Sequence, residues 1–78
     1  MVPGGIFMSY RVEIEREDDG RWIAEVVDLP GVLAYGLNAD DALANVQALA
    51  LRVLADRLEH GEVPHGPLSL TFETSTTS

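Results

Sequence analysis

The sequence predicts an α+β domain: a three-stranded antiparallel meander, one long helix and a fourth strand, in the order β-β-β-α-β, with the helix packed on one face of the sheet. Three observations predict it. Residues 9–17 and 21–27 alternate about an Asp19-Gly20 turn, residues 39–59 carry apolar side chains at helical spacing, and Leu68, Leu70 and Phe72 alternate again. Between the second strand and the helix lies Asp28-Leu29-Pro30-Gly31-Val32-Leu33-Ala34-Tyr35-Gly36, an apolar run broken by Pro-Gly and closed by a second glycine.

Residues 1–8 hold Pro3-Gly4-Gly5 and little periodicity, so a flexible leader is expected, with Met8 an alternative first residue. The glycines lack the wider spacing and following helix of a phosphate-binding loop. In the first strand Tyr10, Val12 and Ile14 face one way, and Arg11, Glu13 and Glu15 the other. Glu17-Asp18-Asp19-Gly20 is the turn, with Gly20 free to take positive φ. Its carboxylates lack the alternating ligands and closing Glu of a calcium loop, so no metal is expected there. In the return strand Trp22, Ala24 and Val26 share one face, while Ile23 and Val27 make the face carrying Glu25 partly apolar. Trp22 reads as a core anchor or as an interface hot spot.

Pro30 has no N–H and biases Leu29 toward extended backbone, so Pro-Gly turns the chain between strands two and three. Residues 32–35 form a short third strand with apolar side chains on both faces, and Asp28 reads as a turn or rim residue. Asn38 is the expected helix N-cap, Asp41 stands at the capping-box position, and Asp40 and Asp41 favour the positive end of the dipole. Leu37 and Ala42 are placed to form a hydrophobic staple. Leu43, Val46, Ala50, Val53, Leu54 and Leu58 make the core stripe, widened by Ala42 and Leu49, with Leu51 on the other side. Gly61 ends the helix, with His60 at its negative end. After Pro64, Gly66 and Pro67 the fourth strand begins, and residues 74–78 read as a flexible tail.

A chain of 78 residues makes one domain, with residues 9–73 expected to be its folded part. A chain this short buries only about 60% of its unfolded surface. It has no cysteine for a disulfide or a thiolate metal site, so further burial has to come from a homo-oligomer or another partner. The net charge of −8, from 13 acids against 5 bases, repels a phosphate backbone and suits a basic protein. It can equally serve solubility alone. No direct nucleic-acid binding is expected. No stretch approaches the roughly 20 apolar residues of a membrane span, and the start lacks the basic n-region of a signal peptide. A cytoplasmic protein is expected.

No catalytic residues are assigned. His60 and His65 flank a loop without a paired nucleophile and base, and they are too few for a zinc site. No cofactor or metal is expected. Glu13 and Glu15 are either the solvated face of a hairpin or part of a surface for a basic partner. The candidate partner-binding residues are Glu13, Glu15, Trp22, Glu25 and Tyr35.

The ordered set of segments resembles the HicB-like antitoxin family. It comprises Tyr10-Arg11-Val12-Glu13-Ile14-Glu15, Asp19-Gly20-Arg21-Trp22-Ile23-Ala24, Asp28-Leu29-Pro30-Gly31-Val32 and Ala34-Tyr35-Gly36. It continues through Asp41-Ala42-Leu43-Ala44-Asn45 to Glu59-His60-Gly61-Glu62-Val63-Pro64. The resemblance covers about residues 9 to 73. It implies a partial ribonuclease H fold without ribonuclease H catalysis, and binding to a small basic HicA-like ribonuclease toxin whose RNA-cleaving site is masked. It also implies dimers or higher oligomers. Many family members carry a C-terminal DNA-binding domain. None is read here, so operator binding is not expected. A stand-alone homo-oligomer without a toxin is the alternative.

Overall fold

The computed structural model describes residues 4–77. Its elements are β1 (Ile6–Arg16), β2 (Trp22–Val26), β3 (Leu33–Gly36), α1 (Ala39–Glu59) and β4 (Leu68–Thr77). The α+β class and the β-β-β-α-β order agree with the sequence reading. The sheet is not a simple three-stranded antiparallel meander, however. It has four strands in the order β3-β2-β1-β4, with β1–β2 and β2–β3 antiparallel and β1–β4 parallel. A parallel neighbour needs a crossover, and α1 supplies it by carrying the chain from one edge of the sheet to the other.

Both terminal strands run further than expected. Ile6, Phe7 and Met8, read as leader, pair with Leu68, Ser69 and Leu70, and the leader residues 1–3 lie outside the described residues. Thr74–Thr77, read as tail, pair with Val12–Glu15, and Ser78 lies outside the described residues. Ile6–Met8 are too short a run, directly after Gly4-Gly5, and Thr74–Thr77 too polar, to mark a strand alone. A long-range partner supplies the ladder hydrogen bonds.

The period of two sets the core. Tyr10, Val12, Ile14, Ala24 and Val26 point to the helix and are buried against Ala42, Val46, Ala50 and Leu54. The helix stripe therefore runs at strict i, i+4 spacing from Ala42 to Leu54, flanked by the partly buried Leu43, Leu49 and Val53. Leu58, expected in the stripe, is 40% exposed. Leu37 is 85% exposed and makes no staple. Instead the helix start is fixed by Asn38, whose side chain accepts a hydrogen bond from the Asp41 N–H at 2.8 Å.

At the other end, Gly61 takes φ +70° and its N–H donates to Leu58 O, while the Glu62 N–H donates to Arg57 O. That pair of bonds is a Schellman stop.

Leu29-Pro30-Gly31-Val32 closes a tight turn. The Val32 N–H donates to Leu29 O at 3.1 Å, and Gly31, at φ +83°, occupies the position of a type II turn that needs positive φ. Leu29 and Val32 are both buried, so the turn plugs the core as well as reversing the chain. Gly36 has a different role. A Cβ there would lie 2.7 Å from the Asp41 carbonyl carbon, so only glycine lets β3 approach the first turn of α1 this closely.

One helix on one sheet makes two layers, and the molecule measures 50 × 25 × 17 Å. Its radius of gyration, 14.3 Å, exceeds the about 11.5 Å expected for a compact chain of this length. The slab is long because the β1–β4 ribbon continues past the part that the helix covers.

Candidate functional site

Side chains of odd number on β1 and β2 point away from the helix, onto a sheet face with no second layer among the described residues. The strand register arranges them in rows across the sheet. Tyr35, Ile23, Glu15 and Thr77 stand in one row, and Leu33, Glu25, Glu13 and Ser75 in the next. Arg11 stands opposite Glu73, with Val27, whose N–H donates to Arg11 O at 2.9 Å, on its other side.

This lattice has an apolar corner and an acidic centre. Tyr35 and Leu33 are exposed at 42% and 39%, with Ile23 half-buried between them and the glutamates. Glu13 and Glu25 lie directly across the β1–β2 ladder from each other. Like charges in that position repel.

The nearest base is already engaged. Arg11 pairs with Asp28 at 3.1 Å through its guanidinium, and its backbone N–H donates to the other Asp28 oxygen at 2.9 Å. These bonds hold the Asp28 carboxyl below the usual carboxylate range, the backbone N–H contributing most. Arg21 pairs with Asp19 at 2.8 Å and lies over the Tyr35 ring, 4.5 Å from its centroid. The Arg21 backbone N–H likewise lowers the Asp19 pKa. The third ion contact, His60 with Asp56, lies at the far end of the helix. Among the described residues no ion pair includes Glu13, Glu15 or Glu25.

Four of the five candidate residues, Glu13, Glu15, Glu25 and Tyr35, thus share one face. Trp22 does not. It stands in the other parity of β2 and packs, half-buried, against the core. Sequence reasoning missed Glu73 and Leu33 as members of the face. Alternation with the inward-pointing Phe72 carried the signal for Glu73, but only the register places it beside Arg11.

Two shallow depressions border the face. One, of about 300 Å³, is lined by Arg21, Tyr35, Gly36, Leu37, Asp41 and Asn45; the other, of about 330 Å³, by Arg11, Glu13, Glu73, Thr74 and Ser75. Both are open grooves. Their chemistry is that of a contact surface: carboxylates for cations and an aromatic-aliphatic corner for an apolar side chain. His60 Nδ1 donates to Asp56 O at 2.7 Å, and His65 is exposed in the loop before β4. Among the described residues no group of three or more His, Cys, Asp or Glu side chains is placed to hold a metal ion. No helix among them is long and apolar enough to cross a membrane. Comparison with family models, curated proteins and solved structures finds no match.

Proposed function

We propose that this domain is an antitoxin-like protein-binding module. Its open sheet face would cover the RNA-cleaving surface of a small, basic, HicA-like ribonuclease. One observation carries the reading: Glu13, Glu15 and Glu25 stand side by side, in no ion pair among the described residues, next to Tyr35, Ile23 and Leu33. The repulsion between Glu13 and Glu25 is relieved when a lysine or arginine of a partner lies between them. An enzyme that binds RNA presents such cations. The apolar corner adds area that loses water on contact.

The net charge of −8 accelerates encounter with a basic protein and disfavours RNA itself. The β-β-β-α-β order supports the partial ribonuclease H fold that the HicB-like resemblance implies. The reading puts the protein in the cytoplasm, with the RNA its partner cleaves. Its test is co-expression with a basic HicA-like ribonuclease, followed by co-purification and an RNA-cleavage assay. Binding with loss of cleavage supports the proposal; a ribonuclease that stays unbound and fully active ends it.

A second reading, a homo-oligomer that needs no toxin, is favoured by a different feature. The long slab leaves β4 with one edge free of any strand among the described residues.

A further inference from the structure

The two edges of the sheet are finished differently. β3 is only four residues long. Gly36 is held against the first turn of α1, and the Asn45 side-chain amide donates to Tyr35 O at 2.8 Å. Short length and cover are the usual protections of an edge strand.

β4 has neither. It runs ten residues, pairs with β1 in unbroken register without a bulge, contains no proline, and carries one charge, Glu73. Threonine, a residue suited to strands, dominates its second half.

The direction of its unpaired groups follows from the ladder. The Ile6 N–H donates to Pro67 O at 2.7 Å, so Pro67 faces β1. In a parallel pair alternate residues face the neighbour. Residues 69, 71, 73, 75 and 77 therefore bond to β1. Leu68, Leu70, Phe72, Thr74 and Thr76 aim their N–H and C=O groups at the open edge.

We infer that this edge is a self-association surface on which the β4 of a second copy pairs antiparallel, about a two-fold axis at Phe72. The two sheets then join into one of eight strands.

The register follows from overlap and charge. An axis at Phe72 pairs outward-facing residues with outward-facing residues along nearly the whole strand: Leu68 with Thr76, Leu70 with Thr74, and Phe72 with itself. It sets Glu73 opposite Thr71. An axis one residue later would set Glu73 against its own copy, which is unfavourable. The same axis puts Leu68 and Leu70 beside Thr76 and Thr74, which α1 leaves exposed on the helix side.

A second copy is the occupant because of charge. Two chains of −8 repel through their acidic faces, and β4 is the nearly neutral surface of each. The contact is isologous and closes at two copies. It uses the edge and not the face, so it does not depend on the ribonuclease reading.

Sedimentation of the full chain at rising concentration tests it. The wild type is expected to pass from 8.5 kDa to about twice that mass. Thr74→Pro removes an outward N–H and no β1 bond, and proline is tolerated on an edge. It should raise the dimer dissociation constant at least about tenfold, the loss of about 1.4 kcal/mol, while circular dichroism stays native. Amide exchange on the wild type decides independently if that variant unfolds: the Phe72 and Thr74 amides should slow as concentration rises. A wild type that stays at 8.5 kDa up to millimolar concentration overturns the inference. So does a folded Thr74→Pro that dimerises as tightly as the wild type, or exchange at these amides that is independent of concentration.

Discussion

Asp28 accepts two hydrogen bonds from one residue, Arg11: from its backbone N–H at 2.9 Å and from its guanidinium at 3.1 Å. The first takes the place of a ladder bond. β2 stops pairing where the chain turns at Leu29–Gly31, and the Asp28 carboxylate receives the β1 N–H that a continuing strand would have received. The turn, the end of the β1–β2 ladder and the charge of the open face are thereby joined at one side chain.

The linkage predicts a pH dependence. The folded state depresses the Asp28 pKa, first through the Arg11 backbone N–H and then through the guanidinium. A depressed carboxyl contributes stability that is present above its unfolded pKa and is lost as pH falls through its folded pKa. Asp28→Asn is therefore expected to melt earlier than wild type at neutral pH, with the gap closing as pH falls below the carboxylate range. Thermal melts across a pH series measure it; a gap of equal size at pH ~2 and ~7 would show that the charge is not the cause.

Two glycines of the central stretch should fail for different reasons. Gly36→Ala drives a methyl group into the backbone of Asp41 and Ala42, so β3 and α1 must move apart. Overpacking of this kind costs about 1–3 kcal/mol or more. At Gly31 a Cβ would meet nothing within 4 Å, and only φ +83° opposes a side chain. Gly31→Ala should cost less, about 1 kcal/mol. Urea unfolding of both variants gives the order, and equal or reversed costs would contradict the packing assigned to Gly36.

The helix stripe makes a second ordered pair. Leu54 is buried between helix and sheet, and Leu51 is half exposed on the far side. Leu54→Ala is expected to cost about 2–5 kcal/mol and Leu51→Ala within about 0.5 kcal/mol. A large loss at Leu51 under conditions where the protein is monomeric would mean that the helix is rotated from the orientation described.

Salt separates the two surfaces. Association through the acidic face with a basic protein weakens as salt screens the attraction. Pairing of two −8 chains along β4 strengthens, because the charges being screened repel. Sedimentation and partner titration over a salt series should therefore trend in opposite directions. Parallel trends would mean that both contacts use the same kind of surface.

Much of the fold was legible because periodicity is local. Tyr10, Val12 and Ile14 marked the core side of β1, and Asn38 and Gly61 marked the helix ends from their own chemistry. What was not legible depends on distant partners. Ile6–Met8 become strand only because Leu68–Leu70 lie beside them, and the parallel sense of β4 is set by a crossover that no short window contains. The candidate site divides in the same way. Alternation placed Glu13 and Glu15 together. The facing of Glu25 against Glu13, and the engagement of Arg11 by Asp28, required the register and the turn. Trp22 was the ambiguous residue, since an indole beside a turn suits either a core or an interface. Its parity with Ala24 and Val26 places it, half-buried, on the core side of the sheet.

The central claim is that the acidic sheet face holds a basic ribonuclease. Its most direct test is the inhibition of a HicA-like ribonuclease by wild type and by the double variant Glu13→Lys, Glu25→Lys, with RNA cleavage as the readout. Both side chains are exposed, so the variant should fold. The account predicts that wild type suppresses cleavage and that the charge-reversed protein loses at least about a hundredfold in inhibitory affinity, about 2.8 kcal/mol. Equal inhibition by both proteins would contradict it.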